Sequence, residues 1–96
     1  MMKDAERQII EHYGQKKQEL QAVQELSELI LLLAAREDQR GDDYKKRMTE
    51  EIADTLVMIE QVKMMNGITD EAVTVMMKYK LCRQLDRIDK EKEAQT

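Results

Sequence analysis

QELQAVQELSELILLLAAREDQRGDDYKKRMTEEIADTLVMIEQVKMM, the stretch from Gln18 to Met65, holds two acidic pairs, Glu25-Leu26-Ser27-Glu28 and Glu51-Ile52-Ala53-Asp54. In each pair the carboxylates stand three residues apart. On a helix turning about 100° per residue, that spacing puts both acids of a pair on one face. Two such faces brought together make a cluster of four carboxylates. At an effective dielectric of about 20, two unit charges about 5 Å apart repel by roughly 3 kcal/mol. Convergence of the four therefore calls for a cation, and a divalent one answers the charge most economically.

Both pairs sit on helical patterns. A helix is expected from about Gln15 to Arg36, with Leu20, Val23, Leu26, Ile30, Leu33 and Ala34 as its main apolar stripe. Gln18, Gln21, Glu25, Glu28 and Leu32 lie on roughly the opposite side. From Leu26 to Ala35 the pattern is apolar almost all round, which predicts a buried helix. Another helix is expected from about Tyr44 to Asn66, ending at Asn66-Gly67. Its stripe is Met48, Ile52, Leu56, Ile59 and Val62, and its other side carries Glu51, Asp54, Met58, Gln61 and Met65. The polar connection from Glu37 to Asp43 contains Gly41 and offers Asp42 or Asp43 as an N-cap. It is short enough to make the two helices antiparallel neighbours. On both helices the acids share a face with large apolar residues, and packing the two mixed faces together accounts for both.

Outward from this stretch, Met2 to about Tyr13 reads as a short amphipathic helix ended by Gly14. His12, the lone histidine, reads as a solvated position, because no second His or Cys joins it at metal-binding spacing. On the other side, Thr69 caps a fourth helix with Asp70 and Glu71 in its first turn, reaching Asp89 or beyond. Met77, Leu81, Leu85 and Ile88 form one apolar line on it. Val73, Met76, Lys80, Arg83 and Arg87 form a second, basic line that is expected to face the acids. Residues 90–96 are charged and read as a frayed tail.

Composition agrees with one all-α domain over residues 1–96, an antiparallel bundle of about four helices. There are no Pro, three Gly and only 3% aromatic residues. Sixteen basic against twenty acidic residues, interspersed, give a net charge of −4, which argues against a nucleic-acid partner. The single Cys excludes an internal disulfide and fits a reducing compartment. The longest apolar run, Leu29 to Ala35, is too short to span a bilayer, so neither a membrane segment nor a signal peptide is expected and a cytoplasmic location is the default. All-oxygen ligands without His or Cys select a hard cation, Mg²⁺ with Mn²⁺ as an alternative. A di-iron site of the ferritin kind needs Glu-x-x-His, which the chain lacks.

The runs QELQAVQELSELILLL, TEEIADTLVMIEQVKMMNGI and KYKLCRQLDRI together resemble the MazG-like family of all-α nucleoside triphosphate pyrophosphohydrolases. The family's signature is E-x-x-E, a variable spacer, then E-x-x-D, and the resemblance covers roughly Tyr13 to Ile88. It implies that Glu25, Glu28, Glu51 and Asp54 are metal ligands, that Gln18 lies near the nucleotide pocket, and that Lys80 and Arg83 hold the substrate's phosphates, with Arg87 a further candidate. Cys82 departs from the Asn common in similar K-L-N-R runs and reads as a small core residue. The implied reaction is Mg²⁺-dependent hydrolysis of a (d)NTP to the monophosphate and pyrophosphate, serving nucleotide-pool housecleaning. A carboxylate not fully engaged by metal can accept the attacking water's proton. Which acid does so is open, with Glu28 the first choice.

Other features have structural readings. The Met residues beyond Met1-Met2 fill irregular helical cores or an interface. Lys45-Lys46-Arg47 reads as a solvated helix turn, and Tyr13, Tyr44 and Tyr79 as structural. A chain this small with helices apolar nearly all round is expected to form a homodimer or homotetramer, which is also a feature of the family. The competing class is a non-catalytic helical oligomerisation or regulatory module.

Overall fold

The computed structural model describes residues 2–95. Helices α1 (Met2–Tyr13), α2 (Gln15–Ala34), α3 (Tyr44–Met65) and α4 (Asp70–Gln95) follow one another, with a 3-10 turn at Glu37–Gln39 between α2 and α3. No strand occurs among the described residues, so the all-α expectation holds. Among the described residues, no helix is long and apolar enough to cross a membrane.

The helix ends have local causes. Gly14 joins α1 to α2 at φ +89, a left-handed conformation open to glycine. Its N–H donates to the Ile10 carbonyl, and its own carbonyl accepts from Gln18. α2 stops at Ala34, short of the expected Arg36, because Ala35 turns extended and Arg40 donates to the Leu33 and Ala35 carbonyls instead. Asp43 stands at the N-cap position of α3 without a side-chain capping bond. α3 ends in a Schellman motif: Gly67, at φ +64, donates to Met64 and Ile68 donates to Lys63. Thr69 Oγ1 accepts from the Ala72 N–H at 3.1 Å, the cap expected for α4. α4 continues through Lys90 to Gln95, where a frayed tail was expected, and Thr96 lies outside the described residues.

α2 and α3 form the central pair. Gln18, early in α2, bonds Gln61, late in α3, and Glu28 meets Glu51, so the two run antiparallel. α1 packs against both. The side chains buried between these helices are Ala22, Leu32 and Met58 with Glu6, Gln18, Thr55 and Gln61. That interior is more polar than apolar. The mixed faces have converged, and the apolar stripes point outward. Leu20, Val23 and Ile30 on α2 are 64%, 62% and 63% exposed, and Leu56 on α3 is 60% exposed. The expected burial of Leu26–Ala35 is therefore not met within one chain, where only Leu32 of that run is fully covered. The physical reason is geometric: a helix packed on one neighbour by its polar-lined face has nothing in the same chain to cover its opposite side.

α4 stands apart. No Cα of α4 comes within 8 Å of α1, α2 or α3, and none of its residues is buried. The radius of gyration is 17.7 Å, against about 13 Å for a compact chain of this length. What ties α4 to the rest is Asp70, which accepts from Lys3 Nζ of α1 at 2.6 Å and from Lys63 Nζ of α3. The hydrogen bond from Lys3, then that from Lys63, holds the Asp70 carboxyl down at about 2 from its usual 3.8. A depressed carboxylate contributes stability above its unfolded pKa and loses it as pH falls through its folded one. Asp70 thus stabilises the fold fully above 3.8 and progressively less toward 2. Thermal melts over this acid range should fall more steeply for the native chain than for Asp70→Asn, and parallel curves would refute the role given to this contact.

Candidate metal centre

The acids reach one another because α2 and α3 are antiparallel in this register. Glu25 and Glu28 of α2 and Glu51 of α3 each offer a carboxylate oxygen within 4.8 Å of the others. Glu25 and Glu51 are half-buried, and Glu28 is exposed. Opposite ligands on an octahedral Mg²⁺, each 2.0–2.1 Å from the ion, lie about 4.2 Å apart. Oxygens this close need only small side-chain adjustments to share such an ion.

Glu25 Oε1 accepts from Gln21 Nε2 at 2.9 Å. Its other oxygen, Oε2, and Glu51 Oε2 are buried and take no hydrogen bond from the protein. A buried carboxylate oxygen without a donor is destabilising unless a cation meets it. The titration behaviour agrees. Desolvation pushes the Glu25 carboxyl up, the Gln21 hydrogen bond opposes this, and Glu28 and Asp54 add repulsion. Glu51 is pushed up by desolvation first, then by Glu28 and Asp54, with Arg47 pulling it down. Asp54, exposed and one turn beyond Glu51, is not among the oxygens within 4.8 Å, yet its charge reaches both Glu25 and Glu51. Thr55, beside Asp54, buries its Oγ1 without a partner as well.

Gln18 is buried and already engaged. Its Nε2 donates to Gln61 Oε1 at 2.7 Å, and Gln61 Nε2 donates to Glu6 Oε1 at 3.2 Å. A carboxylate only accepts, so Glu6 sets the orientation of Gln61, which in turn requires Gln18 to present its amide N–H inward.

The basic line of α4 does not face the acids within the chain, contrary to expectation. Lys80, Arg83 and Arg87 line a groove of about 190 Å³ with Gln84 on α4 itself. They miss the acids because α4 leaves the bundle at Asp70 and does not fold back. Other cations share a cleft with the acids. A cleft of about 360 Å³ beside the acids is lined by Glu28 and Glu51 and also by Arg40, Tyr44 and Arg47. The Arg40 guanidinium lies over the Tyr44 ring, 4.6 Å from its centre. Lys45, Lys46 and Arg47 are exposed at the start of α3, as expected of a solvated turn, and Arg47 also borders the cleft. Tyr44, Arg47 and Glu51 stand at i, i+3 and i+7, a spacing that places them on one helix face.

Compared with protein-family models, curated proteins and solved structures, the chain has no significant match.

Proposed function

We propose that this protein is an Mg²⁺-dependent nucleoside triphosphate pyrophosphohydrolase, splitting (d)NTPs into monophosphate and pyrophosphate. One observation carries the reading: carboxylates from two helices converge, and two of them bury oxygens that the protein leaves without donors. A set of oxygen donors alone selects a hard cation. The resemblance of the acidic pairs to the MazG-like signature supplies the reaction.

On this reading Glu25, Glu28, Glu51 and Asp54 hold Mg²⁺, or Mn²⁺ in its place. When bound, the ion would supply a water of lowered pKa and neutralise charge on the phosphates. Glu28, the exposed acid at the cleft, accepts the water's proton. Gln18 lies seven residues before Glu25 on the same helix face, about 10.5 Å along the axis, and its carbonyl oxygen accepts from the nucleotide. Lys80, Arg83 and Arg87 meet the phosphates from the α4 of a second copy, since their own chain holds them away from its acids. The same second copy covers the apolar stripes of α2 and α3, giving a homodimer or a homotetramer.

Pyrophosphate release from a panel of NTPs and dNTPs, with and without Mg²⁺, tests the reaction. Turnover of at least one nucleotide that needs the metal is expected. No metal-dependent turnover of any nucleotide would leave the helical oligomerisation module as the better description.

A further inference from the structure

We propose that Arg40, Tyr44 and Arg47 form a phosphate-binding wall beside the carboxylates, taking the terminal phosphate of the nucleotide in the same chain that holds its metal. This rests on the pyrophosphohydrolase reading and adds the side chains that grip the leaving pyrophosphate. The cleft of about 360 Å³ is lined by the acids Glu28 and Glu51 and also by the guanidinium groups of Arg40 and Arg47. Its volume falls within the roughly 300–1,000 Å³ of small-molecule sites. Charges of both signs lining one cleft suit a ligand that carries its own negative charge and brings a divalent cation with it.

Arg40 is fixed in place by three contacts. Its Nε donates to the Ala35 carbonyl at 3.2 Å and an Nη to the Leu33 carbonyl at 3.5 Å, so it caps the negative end of α2. Its Cζ lies 4.6 Å from the centre of the Tyr44 ring. A guanidinium has five N–H donors, and these two bonds leave the others for the cleft. Arg47 reaches the same cleft from the first turn of α3, one helical turn before Glu51, whose carboxyl it pulls down. A held guanidinium with donors to spare is organised for phosphate before the ligand arrives. The α4 groove of Lys80, Arg83 and Arg87 is separate from this wall, being lined by α4 alone. The two cationic sets can therefore be varied independently.

The test is calorimetric titration of the full chain with Mn²⁺ alone, then with pyrophosphate in saturating Mn²⁺. Arg47→Ala should weaken pyrophosphate binding roughly ten- to a hundredfold, the range for a lost charge-assisted hydrogen bond. It should leave Mn²⁺ affinity unchanged or tighter, because a cation beside Glu51 has been removed. A variant that is merely misfolded weakens both ligands, and that result overturns the assignment. Arg40→Lys keeps the charge, loses the fork, and should weaken pyrophosphate in the same sense. Unchanged pyrophosphate affinity in both variants, with Mn²⁺ still bound, sinks the wall and leaves the metal centre standing. Absence of Mn²⁺ binding to the native chain removes both.

Discussion

Replacing Glu51 with Gln should make the metal-free protein more stable and abolish its response to Mg²⁺. The two effects have one cause. In the native fold the Glu51 carboxyl is pushed up by desolvation and by Glu28 and Asp54, so its ionised form opposes folding. For a carboxyl raised in the folded state, stability is fullest below its unfolded pKa and is lost as pH rises through the folded one. At neutral pH the native chain therefore bears this penalty, and an uncharged amide does not. Metal reverses the sign, since a cation binds the ionised form. Binding to the native state alone at 100 times Kd adds about 2.7 kcal/mol, which is about 10 °C or more in Tm for a domain of this size. Glu51→Gln removes a ligand charge, and pyrophosphate release should fall about 100-fold or more. Thermal melts of both forms, with and without Mg²⁺, check this. An equal Mg²⁺ shift in the native chain and in Glu51→Gln would falsify the site. Glu25→Gln should behave in the same way, because Glu25 Oε2 is buried without a donor as well.

What the sequence made legible follows from periodicity. The i, i+3 spacing placed Glu25 with Glu28 and Glu51 near Asp54, and the short connection made α2 and α3 antiparallel; the sequence led to an expected cluster of four acids, of which Glu25, Glu28 and Glu51 come together and Asp54 does not join them. Gly14, Gly67 and Thr69 were legible because backbone chemistry at helix ends is local. What was not legible is which face of each helix its own chain would cover. Leu20, Val23 and Ile30 look like core, and hydrophobicity says only that they leave water, not whose atoms they meet. The path of α4 was hidden for the same reason. Its apolar line through Met77, Leu81 and Leu85 called for a neighbour, and nothing in the residues states that the neighbour is absent from the same chain. Arg40 was hidden differently, since its place over Tyr44 and against the end of α2 depends on a loop conformation that no helical period encodes.

Glu6, Gln18 and Gln61 bear on the same question of faces. A buried glutamine is tolerated when its amide is paired on both ends, and Gln61, the most enclosed side chain, is paired with Gln18 on one side and Glu6 on the other. Packing the apolar stripes of α2 and α3 against each other would turn these three groups and the acids outward. The polar interior and the exposed stripes are thus one choice seen from two sides. It is a choice that suits a protein whose α2–α3 seam is a binding site and whose opposite faces meet another copy.

A charge placed on those faces should dissolve the proposed assembly and the proposed activity together. In the register that sets Glu28 beside Glu51, Val23 stands level with Leu56, and the two are 62% and 60% exposed in the single chain. Covering a side chain of this size stabilises an interface by about 1.5–3 kcal/mol. In a two-fold assembly each substitution counts twice, giving about 3–6 kcal/mol for one position, before the cost of burying a charge is added. At 1.4 kcal/mol per decade, Leu56→Lys should raise the dissociation constant by about a hundredfold to ten-thousandfold. Light scattering after size exclusion should show the native chain at a multiple of 11.3 kDa and Leu56→Lys at 11.3 kDa. Pyrophosphate release should disappear in the variant even though Leu56 is not among the cleft's lining residues, because a lone chain holds Lys80 and Arg83 away from its own acids. Mn²⁺ affinity should survive, since Glu25, Glu28 and Glu51 belong to one chain. A native chain that runs as a monomer while turning over nucleotide would separate catalysis from assembly and leave Arg40 and Arg47 as the phosphate-binding groups.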